Sequence, residues 1–169
     1  MPTKVQFIHG LESGPHGAKA RLLASTFDSK TPQMDTSNFE GCVAQHAKLI
    51  QADKPDVVVG SSFGGAVLVA LLQRGLWTGR SLLLAQAAIK RGLTTTLPRE
   101  IPIWIVHGTG DTVVDVEDSR KLAADNSREE IKYIELDDDH SLHASTANGS
   151  LLDWVRSIAA VQCGARNEA

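Results

Sequence analysis

The chain has 169 residues, a formal net charge of −3 and 42% hydrophobic residues. That length predicts one domain over 1–169, with enough apolar content to close a core without disulfides or a metal. The slightly acidic balance gives no electrostatic case for nucleic acid or an anionic membrane, and Cys42 and Cys163 lie too far apart for a metal or redox motif.

Met1–Val5 runs straight into a strand with no charged and then apolar leader, so a cytoplasmic protein is expected. Val5–His9 is the first predicted strand. The loop Gly10–Gly17 follows, and then a helix near Ala18–Phe27. Thr31–Met34 reads as a short extended piece, an edge strand in which proline is tolerated. Asn38 suits the cap of a helix running to about Asp53, which ends before Lys54-Pro55.

Asp56–Val59 is a short apolar, β-branched run and predicts a buried strand. It stops at Gly60, and Ala66–Leu72 reads as a helix. Further strands are expected at Ser81–Ala85, Ile103–His107 and Ile131–Glu135, with helices at Val116–Asp125 and Leu151–Val161. Strands alternating with helices imply a parallel sheet covered on both faces. Ligands of such sheets bind at the carboxyl ends of the strands. The chemically suggestive loops Gly10–Gly17, Gly60–Gly65, Gly108–Val114 and Asp137–His143 all follow strands.

Gly60-Ser61-Ser62-Phe63-Gly64 is a Gly-x-Ser-x-Gly at a strand-to-helix join, which places Ser62 on a tight turn with its hydroxyl lifted from the sheet. A serine hydroxyl needs a base within hydrogen-bond reach and a third group to orient that base. Asp111 and His140 supply these in the order Ser, Asp, His. Asp111 also reads as a turn former beside Gly110, with Asp115 or Asp118 as substitute acids; Asp115 suits the start of the next helix. His143 competes with His140. An oxyanion would be met by the backbone N–H groups of Phe63 and Leu11.

Four segments resemble the α/β-hydrolase superfamily: His9-Gly10, Gly60-x-Ser62-x-Gly64, His107-Gly108-x-x-Asp111-x-Val113-Val114, and Asp139-His140. The resemblance spans nearly the whole chain, and it favours His140 over His143. It implies a minimal α/β-hydrolase with about six mostly parallel strands and helices on both faces. The family's opening antiparallel strands are missing, and Gln86–Pro102 is too short for a cap domain. The closest type is a small capless bacterial esterase with an open site, no cofactor and no metal. The expected partner is a small ester substrate, and the chain is expected to be a monomer or a homodimer paired through an exposed edge strand.

The expected activity is cleavage of short-chain carboxylic esters through an acyl-enzyme. A thioesterase or amidase with the same three residues is the alternative, and a noncatalytic binding module on this scaffold is another. His9 reads as support for the oxyanion loop. Glu12, His16 and Lys19 read as surface residues close enough to touch substrate. Asp137–Asp139 reads as a solvated loop, His46 and His107 have no evident partners, and Trp77, Trp104 and Trp154 read as packing residues.

Overall fold

The computed structural model describes residues 1–163. Six strands form one sheet in the order β2-β1-β3-β4-β5-β6. They are β1 (Lys4–Ile8), β2 (Asp28–Lys30), β3 (Val57–Ser61), β4 (Arg80–Leu84), β5 (Ile103–Gly108) and β6 (Ile131–Leu136). Every neighbouring pair is parallel. The helices are α1 (Ala18–Thr26), α2 (Phe39–Asp53), α3 (Phe63–Gln73), α4 (Val116–Ala124), α5 (His143–Ala147) and α6 (Ser150–Ala159).

The central strands are apolar at successive positions because both faces of the sheet are covered. In β3 and β4 the residues alternate between two cores. Val57, Val59, Leu82 and Leu84 pack with Ala20 and Leu23 of α1 and with Leu151, Val155 and Ile158 of α6. Val58 and Leu83 face the other way, toward Val43 and Ile50 of α2, Val67 and Leu71 of α3, and Leu122 of α4. Ten successive residues of α3, Phe63 to Leu72, are buried. A helix apolar all round is an interior helix, and α3 is held between the sheet and α2.

The chain departs from the sequence expectation in three places. The edge strand is Asp28–Lys30, not Thr31–Met34. The backbone leaves α1 already extended at Phe27, and the Asp28 amide donates to Thr3 O at 3.0 Å, so pairing starts at once. Pro32, without an N–H, lies beyond the ladder. The second difference is that α3 begins at Phe63, three residues earlier than Ala66. The third is α5, which no local start signal announces. Leu142 before it is left-handed (φ 52°), and its first amides are met from outside the helix, His143 N by Asp139 and Ala144 N and Ser145 N by Asp138.

Between β4 and β5 the chain makes turns only, with no helix or strand, and among the described residues no cap covers the sheet. Among the described residues no helix is long and apolar enough to cross a membrane.

Successive connections reverse direction between β1 and β3: β2 lies on one side of β1, and β3 to β6 proceed on the other. The carboxyl ends of β1 and β3 therefore flank the crevice in which α/β sheets bind ligands. Behind that crevice His46 is fully buried on α2, with Nδ1 2.7 Å from Gln6 Nε2 of β1. Burial, and secondarily the nearby His9, lower its pKa from 6.5 to about 4. The unfolded chain therefore binds a proton near pH 6.5 that the folded chain refuses until about pH 4. Stability falls as pH drops through that window, by about 3 kcal/mol at its acid end. A His46→Phe variant should lack this component. Urea midpoints measured from pH 7 to 4 should fall less steeply than in the wild type, and parallel curves would contradict the assignment.

Candidate active site

Ser62 is the residue at which β3 turns into α3, and its backbone is left-handed, φ 54° and ψ −114°. A non-glycine residue in a sparsely populated region costs roughly 1–3 kcal/mol and persists only where its surroundings fix it. Here the Ser62 amide donates to Leu84 O at 2.9 Å, and the Ser62 carbonyl accepts from Ala66 N and Ala87 N at 3.1 Å each. The turn is thus tied to β4, to its own helix and to the loop after β4.

The glycines around Ser62 are sites of close approach. A Cβ on Gly64 would overlap the Ile8 carbonyl, so α3 meets the end of β1 backbone to backbone. A Cβ on Gly10 would lie 3.3 Å from Ser62 Cβ and narrow the space in front of the hydroxyl.

The fold brings Ser62, His140 and Asp111 together across 78 and 29 residues of sequence separation. Ser62 Oγ lies 2.9 Å from His140 Nε2. His140 Nδ1 lies 2.7 Å from Asp111 Oδ2. A carboxylate only accepts, so Nδ1 carries the imidazole proton and Nε2 is left to accept from the serine hydroxyl. His140 is 20% exposed at its side chain and Asp111 not at all.

Asp111 is a turn former and a partner of His140 at once. Oδ1 accepts from Val113 N and Val114 N, both at 2.8 Å, and closes the turn after β5; Oδ2 faces the imidazole. Burial alone would raise its pKa, but the bonds from His140, Val114 and Val113 outweigh burial and leave it below the ordinary carboxylate value.

The other acidic and imidazole candidates lie elsewhere. Asp115 caps α4 by accepting from Glu117 N at 3.0 Å. Asp118 lies within α4, and burial and Asp115 raise its pKa. His143 begins α5, is 79% exposed and pairs with Asp139 at 2.6 Å. Ser61 is buried at the end of β3.

Asp137–Asp139 is not uniformly a solvated loop. Asp138 is buried and accepts from the amides of Asp139, Ala144 and Ser145 and from the Ser145 hydroxyl, at 2.7–3.2 Å. It thereby caps α5 and fixes the loop that carries His140. Lys19, expected at the surface, reaches the same loop from α1 and donates to Ser141 O at 2.5 Å.

On the opposite wall, His9 is buried and its Nδ1 lies 2.8 Å from Gly10 O. The Ser13 amide donates to the same carbonyl at 3.3 Å. A trans peptide sets its N–H opposite its C=O, so fixing Gly10 O also fixes the direction of the Leu11 N–H. Among the described residues neither the Leu11 nor the Phe63 amide donates to an acceptor within the chain. The cleft between these parts has a volume of about 160 Å³; Gly10, Leu11, Lys19, Ser62, Val113 and His140 are among its lining residues. A larger hollow of about 780 Å³ lies at the amino ends of β5 and β6, against Trp104 and Tyr133, away from this constellation.

His46 and His107 do have partners, contrary to expectation. His46 meets Gln6, and His107 meets Ser119, Val114 and Asp111. The available signal was a histidine ending an otherwise apolar buried strand.

No protein-family model matches the chain, and no curated protein matches it at a significant level. Solved structures do. A candidate hydrolase of the alpha/beta superfamily from Xanthomonas campestris pv. campestris superposes with a TM-score of 0.75 at 21% identity, covering 92% of this chain and 99% of its own. A serine hydrolase without lid from Xanthomonas campestris gives 0.68 at 16% identity, with 95% and 84% covered. Est1E from Butyrivibrio proteoclasticus gives 0.70 at 15% identity, with 95% and 89% covered. The chain has the α/β-hydrolase fold in a minimal, lidless form.

The contact between Gly64 and Ile8 O yields a test with an unusual sign. Glycine to alanine within a helix ordinarily stabilises by about 0.5–1 kcal/mol. Gly64→Ala should instead destabilise by about 3 kcal/mol or more, because the overlap is with backbone that cannot rotate away. Urea denaturation of the variant reads this directly, and a raised midpoint would refute the packing.

Proposed function

We propose that this protein is a serine hydrolase that cleaves small carboxylic esters through an acyl-enzyme. The observation that carries the reading is the continuous hydrogen-bonded chain from Ser62 through His140 to Asp111, beside two amides with no acceptor among the described residues. Several proteins of the same fold are described as serine hydrolases, which supports the reading at that coarser level.

Each group has one role. His140 Nε2 takes the hydroxyl proton as Ser62 Oγ attacks the ester carbonyl carbon. The imidazolium that forms is stabilised by Asp111, which stays ionised and holds the Nδ1–H tautomer. The oxyanion of the tetrahedral intermediate is met by the Leu11 and Phe63 amides, where one such donor is worth roughly 3–4 kcal/mol. Collapse expels the alcohol, which takes its proton from His140 Nε2. Water then repeats the sequence on the acyl-serine, releasing the acid and restoring Ser62.

The cleft's about 160 Å³, with no cap above it among the described residues, favours a short acyl chain over a long one that needs burial. Thioesters and amides pass through the same type of intermediate, so matched substrates separate these activities.

Ser62→Ala should abolish turnover of a short-chain aryl ester while circular dichroism and the urea midpoint stay near wild type. A fluorophosphonate should label the wild-type chain at Ser62 and nowhere else. Failure to label in a protein that turns over ester would exclude the mechanism. Labelling without turnover across ester, thioester and amide panels would point to a binding module.

A further inference from the structure

Behind Asp111 lies a second set of polar side chains, for which the proposed reaction has no direct use. His107, Ser119 and Gln86 are each fully buried. His107 ends β5, Ser119 lies on α4, and Gln86 follows β4. Their contacts form a line. Gln86 Nε2 is 3.0 Å from Ser119 Oγ, and Ser119 Oγ is 2.7 Å from His107 Nδ1. His107 Nε2 is 3.0 Å from Val114 O and 3.0 Å from Asp111 Oδ2.

Proton placement along this line follows from one end. Gln86 Oε1 accepts from the Ala88 amide at 2.8 Å, which fixes the orientation of its amide. Gln86 Nε2 is therefore a donor to Ser119 Oγ. The single Ser119 proton is then free to go to His107 Nδ1, which accepts it as an unprotonated nitrogen. His107 Nε2 must carry the ring proton, because both groups facing it, a carbonyl and a carboxylate, can only accept. The N–H aims at Val114 O, and Asp111 Oδ2 lies 3.0 Å from Nε2, beside that bond and outside its direction. Every polar atom along the line has a partner with His107 neutral.

We propose that His107, held as the neutral Nε2–H tautomer by Ser119 and Gln86, is a positioning residue that locks Asp111 in register with His140. It acts through the acid loop and touches no substrate. Three N–H groups bond the Asp111 carboxylate, Val113 and Val114 on Oδ1 and His140 on Oδ2; the His107 ring packs 3.0 Å from Oδ2 and holds the carbonyl of Val114, whose own amide is one of the three. The same line reaches back to the nucleophile. Gln86 lies against Gly65 of α3, where a Cβ would come 2.7 Å from Gln86 Cβ, and the next amide, Ala87 N, donates to Ser62 O. One buried network therefore spans the turn that bears Ser62 and the turn that bears Asp111. The carboxylates of Asp111, Asp118 and Glu135 all lie near the His107 ring, and Glu135 is already engaged by Arg120 and Tyr133. A charged His107 ring held by these carboxylates is the competing arrangement.

The kinetic part of the test rests on the proposed ester hydrolysis; the spectroscopic part does not. In the full chain labelled with 15N-histidine, long-range proton–nitrogen spectra at pH 7 should show His107 protonated at Nε2 and bare at Nδ1. An Nδ1–H tautomer or an imidazolium there would overturn the proposal. The His140 Nδ1 proton should give a downfield, slowly exchanging signal that broadens or shifts upfield in both Ser119→Ala and His107→Phe. An unchanged signal in both would overturn it as well.

With 4-nitrophenyl acetate, His107→Phe should lower kcat by about tenfold or more while KM changes less than about twofold, because orientation of the base and not substrate binding is lost. The acid limb of kcat/KM should move to lower pH as the imidazolium loses its fixed partner. Ser119→Ala, the milder change, should show the same pattern in smaller measure. Wild-type kcat and an unmoved acid limb in both variants would refute the positioning role. A wild-type protein that turned over no ester would remove the functional reading alone, and the ring spectra would still decide the network.

Discussion

The site depends on one close approach, that of α3 to the end of β1. Gly64 meets the Ile8 carbonyl with no room for a methyl group. This contact lets α3 start immediately after Ser62, at its positive φ, and pack on the sheet. It also brings the loop that follows β1 up to the serine side chain. Backbone packed on backbone is stiff, so the hydroxyl and the loop opposite it are held at a fixed separation.

The remaining polar groups act as buttresses to that contact, each supporting one loop. His9 and Ser13 fix the Gly10 carbonyl, Asp138 and Lys19 fix the loop of His140, and His107 borders the loop of Asp111. All of these loops leave carboxyl ends of parallel strands, where no ladder partner holds the chain. Loops must be tied by side chains when they carry groups that need accurate placement. That accounts for the buried polar residues at the carboxyl ends of otherwise apolar strands.

Much of the layout was legible in the sequence because it is encoded locally. Val57–Val59 and Ile103–Val106 are apolar at every position, the mark of strands covered on both faces. Asn38 before Phe39 and Asp115 before Val116 are capping residues, and both do cap. The spacing around Ser62, Asp111 and His140 was readable because each of these residues is bound to a short backbone turn. What escaped notice has long-range causes. β2 begins at Asp28 because Thr3 is there to pair with it, and α5 forms because Asp138 reaches its amides. His46 and His107 read as isolated because their partners lie on other elements.

The sequence by itself determined the sheet class, the elbow at Ser62 and the order of serine, acid and histidine. Hydrophobic period, glycine placement and capping chemistry act over a few residues, and a linear reading captures them. The tertiary structure decided the distances at which Asp111 meets His140 and His140 meets Ser62. It also decided that Asp138 is a buried cap, that Lys19 bonds to the histidine loop, and that a second histidine lies behind the first acid. Those outcomes depend on distances between strand ends that are neighbours in the sheet and remote in the chain. Only the strand order, set by burial of both sheet faces, brings them within reach of a hydrogen bond.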